Sequence, residues 1–249
     1  MRLRSLLALL ALAVLSIPGA ARAETVPVAV AANFADAARA IAAAFKARTG
    51  NEVTISSGAT GTLYAQISQG APFEVLLAAD STTPKKAVGA GHAVAGTEFT
   101  YAAGRLVLFS ADPALVKDGG TLKAASFQKI AIADPRTAPY GAAAVEAMKT
   151  LGVYEALAPK LVTGTSIAQA YQFVDSGNAE LGFVALSQVI KRADGSRWLV
   201  PQADYAPITQ DAVLLNPGKG SVAAKAFLDF LKSPEGVSVI KSFGYDVGN

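Results

Sequence analysis

Residues 26–50, VPVAVAANFADAARAIAAAFKARTG, hold one complete strand-and-helix unit. The first six residues are a short apolar run, which predicts a buried strand. Asn33 then stands where a helix-capping residue is expected, with Asp36 three residues later. Apolar residues recur at helical spacing from Phe34 to Phe45, and Gly50 follows as the expected stop. The segment predicts a strand that leads directly into an amphipathic helix.

The same alternation continues along the rest of the chain. Further apolar runs of strand length occur at Glu52–Ser56, Phe73–Ala78, Arg105–Ser110, Lys129–Ala133, Leu161–Thr163, Leu181–Leu186 and Ala212–Leu215. Segments of helical periodicity follow most of these runs. Repeated strand–helix units are typical of a doubly wound α/β fold, in which each sheet is mostly parallel and flanked by helices.

The order of the units predicts two lobes. Each half of the chain contains two strand–helix units, which are enough to form one sheet. The two C-terminal helices are expected to pack back on the first half. We therefore expect the chain to cross between the lobes twice, near Ala103 and Ala206. On this reading residues 24–102 and 207–249 form lobe I, and residues 103–206 form lobe II.

The N-terminus predicts export. A short positively charged region precedes the apolar run 6–17, and the small residues Ala21 and Ala23 occupy the positions that a signal peptidase accepts. The run is about twelve residues long, whereas a membrane span needs roughly twenty. Residues 1–23 are thus a predicted signal peptide, and Glu24 is the predicted first residue of a soluble periplasmic protein, which we expect to be a monomer.

Charge and cysteine content narrow the class of protein. The chain has 22 Lys and Arg against 19 Asp and Glu, but three of the basic residues lie in the predicted signal peptide, so the mature chain would carry no net formal charge. A nucleic-acid-binding protein would be expected to present a basic face. The chain has no cysteine, which excludes both disulfides and a lipid-anchored N-terminus.

Residues typical of catalysis are sparse. The chain has one histidine, His92, and it lies in a glycine-rich connector. With a single histidine and no cysteine, the usual zinc sites and Cys–His pairs cannot be formed, and no G-x-S-x-G motif occurs. Gly58 and Gly61 precede a helix but no lysine follows, so the loop is not a P-loop. The sequence favours a binding protein over an enzyme.

Four loops share a pattern that suits an anion. In each, a strand is followed by small neutral polar residues and then by a helix, at 32–33, 56–62, 138–141 and 164–167. First helical turns carry unpaired N–H groups and a partial positive charge, so several of them together can bind an anion without any cationic side chain. Two carboxylates are near these loops, but Asp36 is explained as a helix-capping residue and Asp134 as the start of a turn. A site of donors alone favours a fully deprotonated dianion such as sulfate or molybdate.

Several segments resemble one protein family over essentially the whole mature chain. They are residues 28–50, SSGATGTLYAQISQGAPFEVLLAAD at 56–80, ADPRTAPYG at 133–141, and the C-terminal FLKSPEG and IKSFGYDV. These segments resemble the periplasmic molybdate-binding proteins of bacterial ABC importers. The resemblance implies a two-lobed periplasmic binding protein fold of class II type that closes on molybdate or tungstate. It also implies delivery to a membrane permease, no cofactor and no catalysis.

The resemblance also implies which residues bind the oxyanion. It points to Asn33 in the first loop and to Thr60 in SSGATG. In APYG it points to the backbone N–H of Tyr140, and in GTSIAQ to the N–H of Ile167. Ser57 is a further candidate beside Thr60.

One position departs from the family pattern. Some members place a tyrosine hydroxyl on the oxyanion from the strand that here reads LGFVAL, and this chain has Ala185 at that position. One hydroxyl donor of the family pattern is therefore missing from this chain. The hydroxyl of Tyr140 is a candidate replacement.

Two alternatives remain open from the sequence. The first is a binding protein of the same fold for another oxyanion such as sulfate, or for a small organic acid, which an arginine would grip in a bidentate manner; Arg136 is the arginine near a candidate loop. The second is an exported hydrolase or transferase built on similar lobes, which would need a nucleophile and a base.

Overall fold

The computed structural model describes residues 23–248. The predicted signal peptide and its cleavage concern residues outside this range, apart from Ala23. The chain forms two five-stranded sheets, each flanked by helices, and this confirms the predicted two-lobed α/β fold. Within residues 23–248, no helix is both long and apolar enough to span a membrane.

The first part of the chain builds most of lobe I. It alternates strands and helices in the order β1 (Thr25–Ala31), α1 (Ala35–Thr49), β2 (Glu52–Gly58), α2 (Thr60–Ser68), β3 (Val75–Leu77), α3 (Thr82–Gly89) and β4 (Phe99–Gly104). A short 3-10 turn at Ala32–Phe34 joins the first strand to the first helix.

The middle of the chain forms lobe II. Its elements are β5 (Leu106–Ser110), α4 (Gly120–Ala124), β6 (Ile130–Ala133), α5 (Pro139–Thr150), α6 (Tyr154–Leu157), β7 (Leu161–Gly164), α7 (Ile167–Asp175), β8 (Leu181–Ala185), α8 (Leu186–Val189) and β9 (Ser196–Leu199). The chain then returns to lobe I with β10 (Ile208–Leu214), α9 (Val222–Lys232) and α10 (Pro234–Ser242).

Each sheet is mixed, whereas the sequence predicted mostly parallel sheets. The strand orders are β2-β1-β3-β10-β4 and β7-β6-β8-β5-β9. In lobe I, β1 pairs in parallel with β2 and β3, but β10 is antiparallel to both β3 and β4. In lobe II, β6 pairs in parallel with β7 and β8, and β5 is antiparallel to both β8 and β9. In lobe I, β4 ends at Gly104 and β10 begins opposite it at Ile208, so the strand that leaves the lobe and the strand that returns run antiparallel.

The crossings lie between the two sheets. The chain leaves lobe I between Gly104 and Leu106 and returns between Leu199 and Ile208. The predicted crossings near Ala103 and Ala206 fall within or beside these intervals. The domain boundaries themselves stay a prediction.

The C-terminal helices complete the core of lobe I, as the sequence predicted. The side chains of Ser221 and Ser233 accept hydrogen bonds from the first turns of α9 and α10. In α9, Phe227 and Phe230 pack edge-to-face against Phe45 of α1, with ring centroids 5.4 and 5.7 Å apart. Burying each phenyl ring contributes roughly 1.5–3 kcal/mol. This packing holds the first strand-and-helix unit in place beside the cleft.

Candidate functional site

A small cavity lies between the lobes, at the carboxyl ends of the parallel strands. It has ≈ 200 Å³ of empty space and is lined by Ala31, Ala32, Asn33, Gly58, Ala59, Thr60, Ala79, Ala138, Pro139, Tyr140 and Ile167. We call this space the inter-lobe cavity. Four of the five residues predicted from the sequence line it, and they come from four separate loops in both lobes. Their contact with an anion stays a prediction.

Three helices begin at the inter-lobe cavity. Thr60 is the first residue of α2, Tyr140 is the second of α5 and Ile167 is the first of α7. Residues in a first turn have no N–H acceptor within their own helix. Three such N–H groups, from helices of 9, 12 and 9 residues, therefore lie at one place with the positive ends of the helix dipoles.

The lobes touch directly beside the inter-lobe cavity. The N–H of Gly61 in lobe I donates to the carbonyl of Thr137 in lobe II at 2.9 Å. A Cβ on Gly61 would stand 3.1 Å from the Cα of Thr137, so the close approach suits glycine. The described conformation is thus a closed one.

Thr60 combines two polar groups at the cavity. The residue is 1% exposed, and its hydroxyl accepts a hydrogen bond from the N–H of Ala79 at 3.0 Å. A hydroxyl has one hydrogen and two lone pairs, so the hydrogen of Thr60 is still available to a ligand. The residue can offer both its hydroxyl and its N–H.

Asn33 does not cap α1, which corrects the prediction from the sequence. The helix begins at Ala35 after the 3-10 turn, and Phe34 precedes it without any side-chain capping bond. The Asn33 amide instead donates to Gln210 Oε1 at 3.0 Å and to Tyr245 Oη at 3.1 Å. These buried partners offer hydrogen bonds that a solvated cap position does not, so tertiary contacts override the local pattern.

The hydroxyl of Tyr140 lies at the strands that join the lobes. It accepts a hydrogen bond from Gln210 Nε2 at 3.4 Å and lies 1.9 Å from where a Cβ on Gly104 would stand. Burial, with a smaller contribution from Tyr245, raises the pKa of Tyr140 well above its usual value, so the group is a neutral phenol. Replacement of the missing family tyrosine by this hydroxyl stays a prediction.

Ile167 is held at the cavity by its neighbours. Ser166 caps α7 by accepting a hydrogen bond from the N–H of Gln169. The side chain of Gln188 donates to the carbonyl of Ile167 at 3.2 Å and accepts from the N–H of Ala185 at 2.9 Å. Lobe II thus fixes the direction of the first turn of α7 from two sides.

Two singled-out positions lie outside the lining of the inter-lobe cavity. Ser57 is exposed on β2, an edge strand, where it pairs with Val30. The loop turns towards the cavity one residue later, at Gly58. Ala185 is fully buried at the end of β8 and is likewise not part of the lining. The structure therefore does not bring Ser57 together with the other four predicted residues.

The lining of the inter-lobe cavity contains no Lys, Arg, His, Asp or Glu among the residues that the structure describes. Arg136 lies nearby but its side chain is 86% exposed and ion-paired with Asp134 at 2.6 Å. The hydrogen bonds from Arg136 lower the pKa of Asp134 to about 2. A ligand in the cavity would thus be held by neutral donors.

The described residues contain no arrangement that suits a metal ion. Within residues 23–248, no three His, Asp or Glu side chains come together as potential ligands. His92 packs near Tyr64 in lobe I, with ring centroids 6.3 Å apart, and does not line the inter-lobe cavity.

Sequence reasoning missed the groups that support the cavity. Gln210, Ser187 and Tyr245 are buried and hydrogen-bonded to Asn33 or Tyr140. Gln210 and Asp211 are buried polar residues directly before the apolar end of β10, which reads ITQDAVL, and this was the available signal for an internal polar role. Ser187 and Tyr245 sit in segments with no comparable pattern.

Two α/β lobes that close on a small cavity of neutral donors are typical of a solute-binding protein. The family profile described as "Bacterial extracellular solute-binding protein" matches residues 26–246. The chain belongs to this family.

Two relatives and one solved structure of similar sequence are named as molybdate-binding proteins. The chain is 57% identical to the molybdate-binding protein ModA of Rhodobacter capsulatus, with 93% of this chain and 91% of the relative covered. It is 56% identical to ModA of Azotobacter vinelandii, with 91% of each covered. A solved periplasmic molybdate-binding protein of Azotobacter vinelandii superposes with a TM-score of 0.88 at 39% identity, covering 90% of this chain and 100% of that one.

Proposed function

We propose that this protein captures molybdate, or tungstate, in the inter-lobe cavity and delivers it to an ABC importer. The observation that carries the proposal is the cavity itself, which is enclosed by two lobes and lined by neutral donors. The high identity to proteins named for molybdate binding supports the choice of anion. We infer that Asn33, Thr60, Tyr140 and Ile167 bind the anion, largely through backbone N–H groups and the Thr60 hydroxyl.

The chemistry of the lining supports selectivity for a deprotonated dianion. Phosphate near neutral pH keeps a proton, so a site that binds it well must supply an acceptor such as a carboxylate. No carboxylate lines the inter-lobe cavity among the described residues. The empty space between the lining atoms, open solvent included, is only ≈ 200 Å³, which favours an ion of a few atoms.

An organic acid is less well supported as the ligand. Bidentate binding of a carboxylate needs a guanidinium, and the nearby Arg136 is engaged with Asp134 at the surface. Sulfate fits the neutral lining as well as molybdate does, because both are tetrahedral dianions. Discrimination between them would rest on the fit of the closed cavity to the longer Mo–O bonds.

The setting of the proposed activity is the periplasm. A relative of solved structure is named as periplasmic, and the N-terminal sequence supports export with cleavage before Glu24. Lobe closure would bury the anion, and the closed shape would dock on a membrane permease. We expect the protein to act as a monomer and to need no cofactor.

The first experiment tests ligand and export together. The protein is purified from the periplasmic fraction, refolded free of anions, and mixed with equal molybdate, tungstate, sulfate and phosphate for native mass spectrometry. We expect one retained molybdate or tungstate per chain and an intact mass that begins at Glu24. Titration calorimetry with each anion then gives the affinities, and the Arg136→Ala variant serves as a control that should bind molybdate like the wild type.

Three results would contradict parts of this proposal. Retention of sulfate or phosphate with no response to molybdate would assign the protein to another oxyanion. Loss of molybdate binding in the Arg136→Ala variant would contradict a site made of neutral donors alone. An intact mass that includes Met1 would contradict the predicted cleavage.

A further inference from the structure

A buried hydrogen-bond network surrounds the carbonyl oxygen of Asn33. This oxygen accepts from Tyr245 Oη at 2.7 Å and from Ser187 Oγ at 2.8 Å. The two hydroxyl oxygens are themselves 3.0 Å apart. We call Ser187 and Tyr245 the hydroxyl pair. All three residues are at most 9% exposed, so water does not compete for these bonds in the closed protein.

The hydroxyl pair joins the two lobes. Ser187 lies in α8 of lobe II, while Asn33 and Tyr245 belong to lobe I. The bond from Ser187 to Asn33 and the contact of Ser187 with Tyr245 therefore cross the cleft and depend on closure. The bond from Tyr245 to Asn33 lies within lobe I and does not depend on closure.

The hydrogens of this network can be assigned one by one. The side-chain amide of Asn33 gives its two hydrogens to Gln210 Oε1 and to Tyr245 Oη. The single hydrogen of Tyr245 goes to the Asn33 carbonyl, its shortest contact, and the hydrogen of Ser187 goes to the same oxygen. The side-chain N–H groups of Asn33 are thus occupied, which leaves its backbone N–H for the inter-lobe cavity.

We infer that the hydroxyl pair positions the Asn33 loop for anion binding, and that Ser187 does so only when the lobes close. This inference rests on the proposed function. Closure would bring Ser187 onto the Asn33 carbonyl and fix the first loop against the anion. In an open molecule Ser187 would be hydrated, so its contribution belongs to the closed, anion-bound state. Ser187 and Tyr245 are positioning residues and do not line the inter-lobe cavity.

The test compares Ser187→Ala with wild type in molybdate binding. Loss of the hydroxyl removes the hydrogen bond to Asn33 across the cleft, and a buried bond of this kind corresponds to an affinity up to about tenfold weaker. We expect the change mainly in the dissociation rate, measured by chasing radiolabelled molybdate with unlabelled molybdate. The urea midpoint of the anion-free protein should stay as in wild type.

Two further variants sharpen the test. Ser176→Ala removes an exposed hydroxyl at the end of α7 in the same lobe, where it bonds to the carbonyl of Gln172, and should leave molybdate binding unchanged. Tyr245→Phe removes bonds within lobe I, so it should weaken binding and also lower the urea midpoint of the anion-free protein.

The outcomes separate this inference from the proposed function. Wild-type protein that binds molybdate, together with Ser187→Ala protein that binds it equally well, would overturn the positioning role alone. A lowered urea midpoint in Ser187→Ala that accounts for the whole loss of affinity would also overturn it, because it indicates a structural role. A wild-type protein without molybdate binding would overturn the proposed function and this inference with it.

Discussion

At the scale of single residues, Thr60 makes a hydrogen bond within lobe I and also presents donors to the inter-lobe cavity. Its hydroxyl satisfies the buried N–H of Ala79, and its remaining hydrogen is available at the inter-lobe cavity. Its own N–H belongs to the first turn of α2. The same hydroxyl therefore holds the loop after β3 in place and can donate to a ligand in the cavity.

Replacement of Thr60 by alanine should weaken molybdate binding about ten- to hundredfold. A hydrogen bond to a charged group is worth about 1.5–3 kcal/mol, and each 1.4 kcal/mol is a factor of ten. The free energy of unfolding should also fall by roughly 1–3 kcal/mol, because the Ala79 N–H is left unpaired. Titration calorimetry and urea unfolding measure the two effects.

The matched control is Thr60→Ser, which keeps the hydroxyl and removes a methyl group. We expect its affinity to stay within about threefold of wild type, since both hydrogen bonds can still form. If the serine variant lost as much affinity as the alanine variant, the hydroxyl would not be the group that matters.

At the scale of elements, the end of β4 meets α5 of the other lobe at Gly104. A Cβ there would lie 1.9 Å from Tyr140 Oη and 2.6 Å from Gln210 Nε2. The φ angle of Gly104 is not in the left-handed region, so the requirement for glycine is steric and not conformational. Close packing of the two lobes depends on the absence of a side chain at this position.

We expect Gly104→Ala to hinder closure and to weaken molybdate binding by about tenfold or more, since overpacking of this kind costs about 1–3 kcal/mol. Small-angle X-ray scattering should show less compaction on adding molybdate than in wild type. Gly89→Ala, at the end of α3 with open space around it, is the matched control and should behave like wild type. Normal compaction of Gly104→Ala would show that Tyr140 adapts.

The elements themselves were largely predictable from the sequence. Short apolar runs and the helical periodicity that follows them indicated most of the strands and longer helices. β4 and β9 were missed because neither is a continuous apolar run: β4 reads FTYAAG and β9 reads SRWL. The mixed pairing was also missed, because strand direction depends on how the chain passes between lobes.

At the scale of the whole molecule, neither the mature chain nor the lining of the inter-lobe cavity is expected to carry a net charge. The mature sequence is predicted to be neutral, and the described lining of the inter-lobe cavity holds no charged side chain. Burial raises the pKa values of Tyr101, Tyr140 and Tyr245 behind the cavity. These phenols therefore stay protonated in the folded protein at pH values where an exposed tyrosine would ionise.

Molybdate affinity should consequently change by less than about threefold between pH 6 and pH 9, because no lining group has an ordinary pKa in that interval. The folded-state pKa values of the three tyrosines exceed the unfolded value, so their contribution to stability is complete below about pH 10 and is lost as the pH rises further. Calorimetry across pH 6–9 and urea unfolding at pH 9 and 11 measure both effects. A tenfold change of affinity within pH 6–9 would indicate an ionising group in contact with the anion.

The amino-acid sequence alone indicated the two-lobed fold, the export signal and the four loops that meet at the inter-lobe cavity, and the family resemblance implied which four residues of these loops line it. These features are local: a strand, a loop of small polar residues and the first turn of a helix are all written within about a dozen consecutive residues. Helix N-termini at strand ends converge in any fold of this class, so the site followed from the fold.

The tertiary structure decided the surroundings of Asn33, the contact at Gly104 and the place of Ser57 outside the cavity. The partners of the Asn33 side chain are 177 and 212 residues away along the chain, so no local pattern can announce them. The bond from Ser187 to Asn33 and the approach of Tyr140 to Gly104 depend in addition on lobe closure. The physical reason is that periodicity reports which face of an element is buried, whereas the identity of a buried polar partner depends on how distant elements and whole lobes pack together.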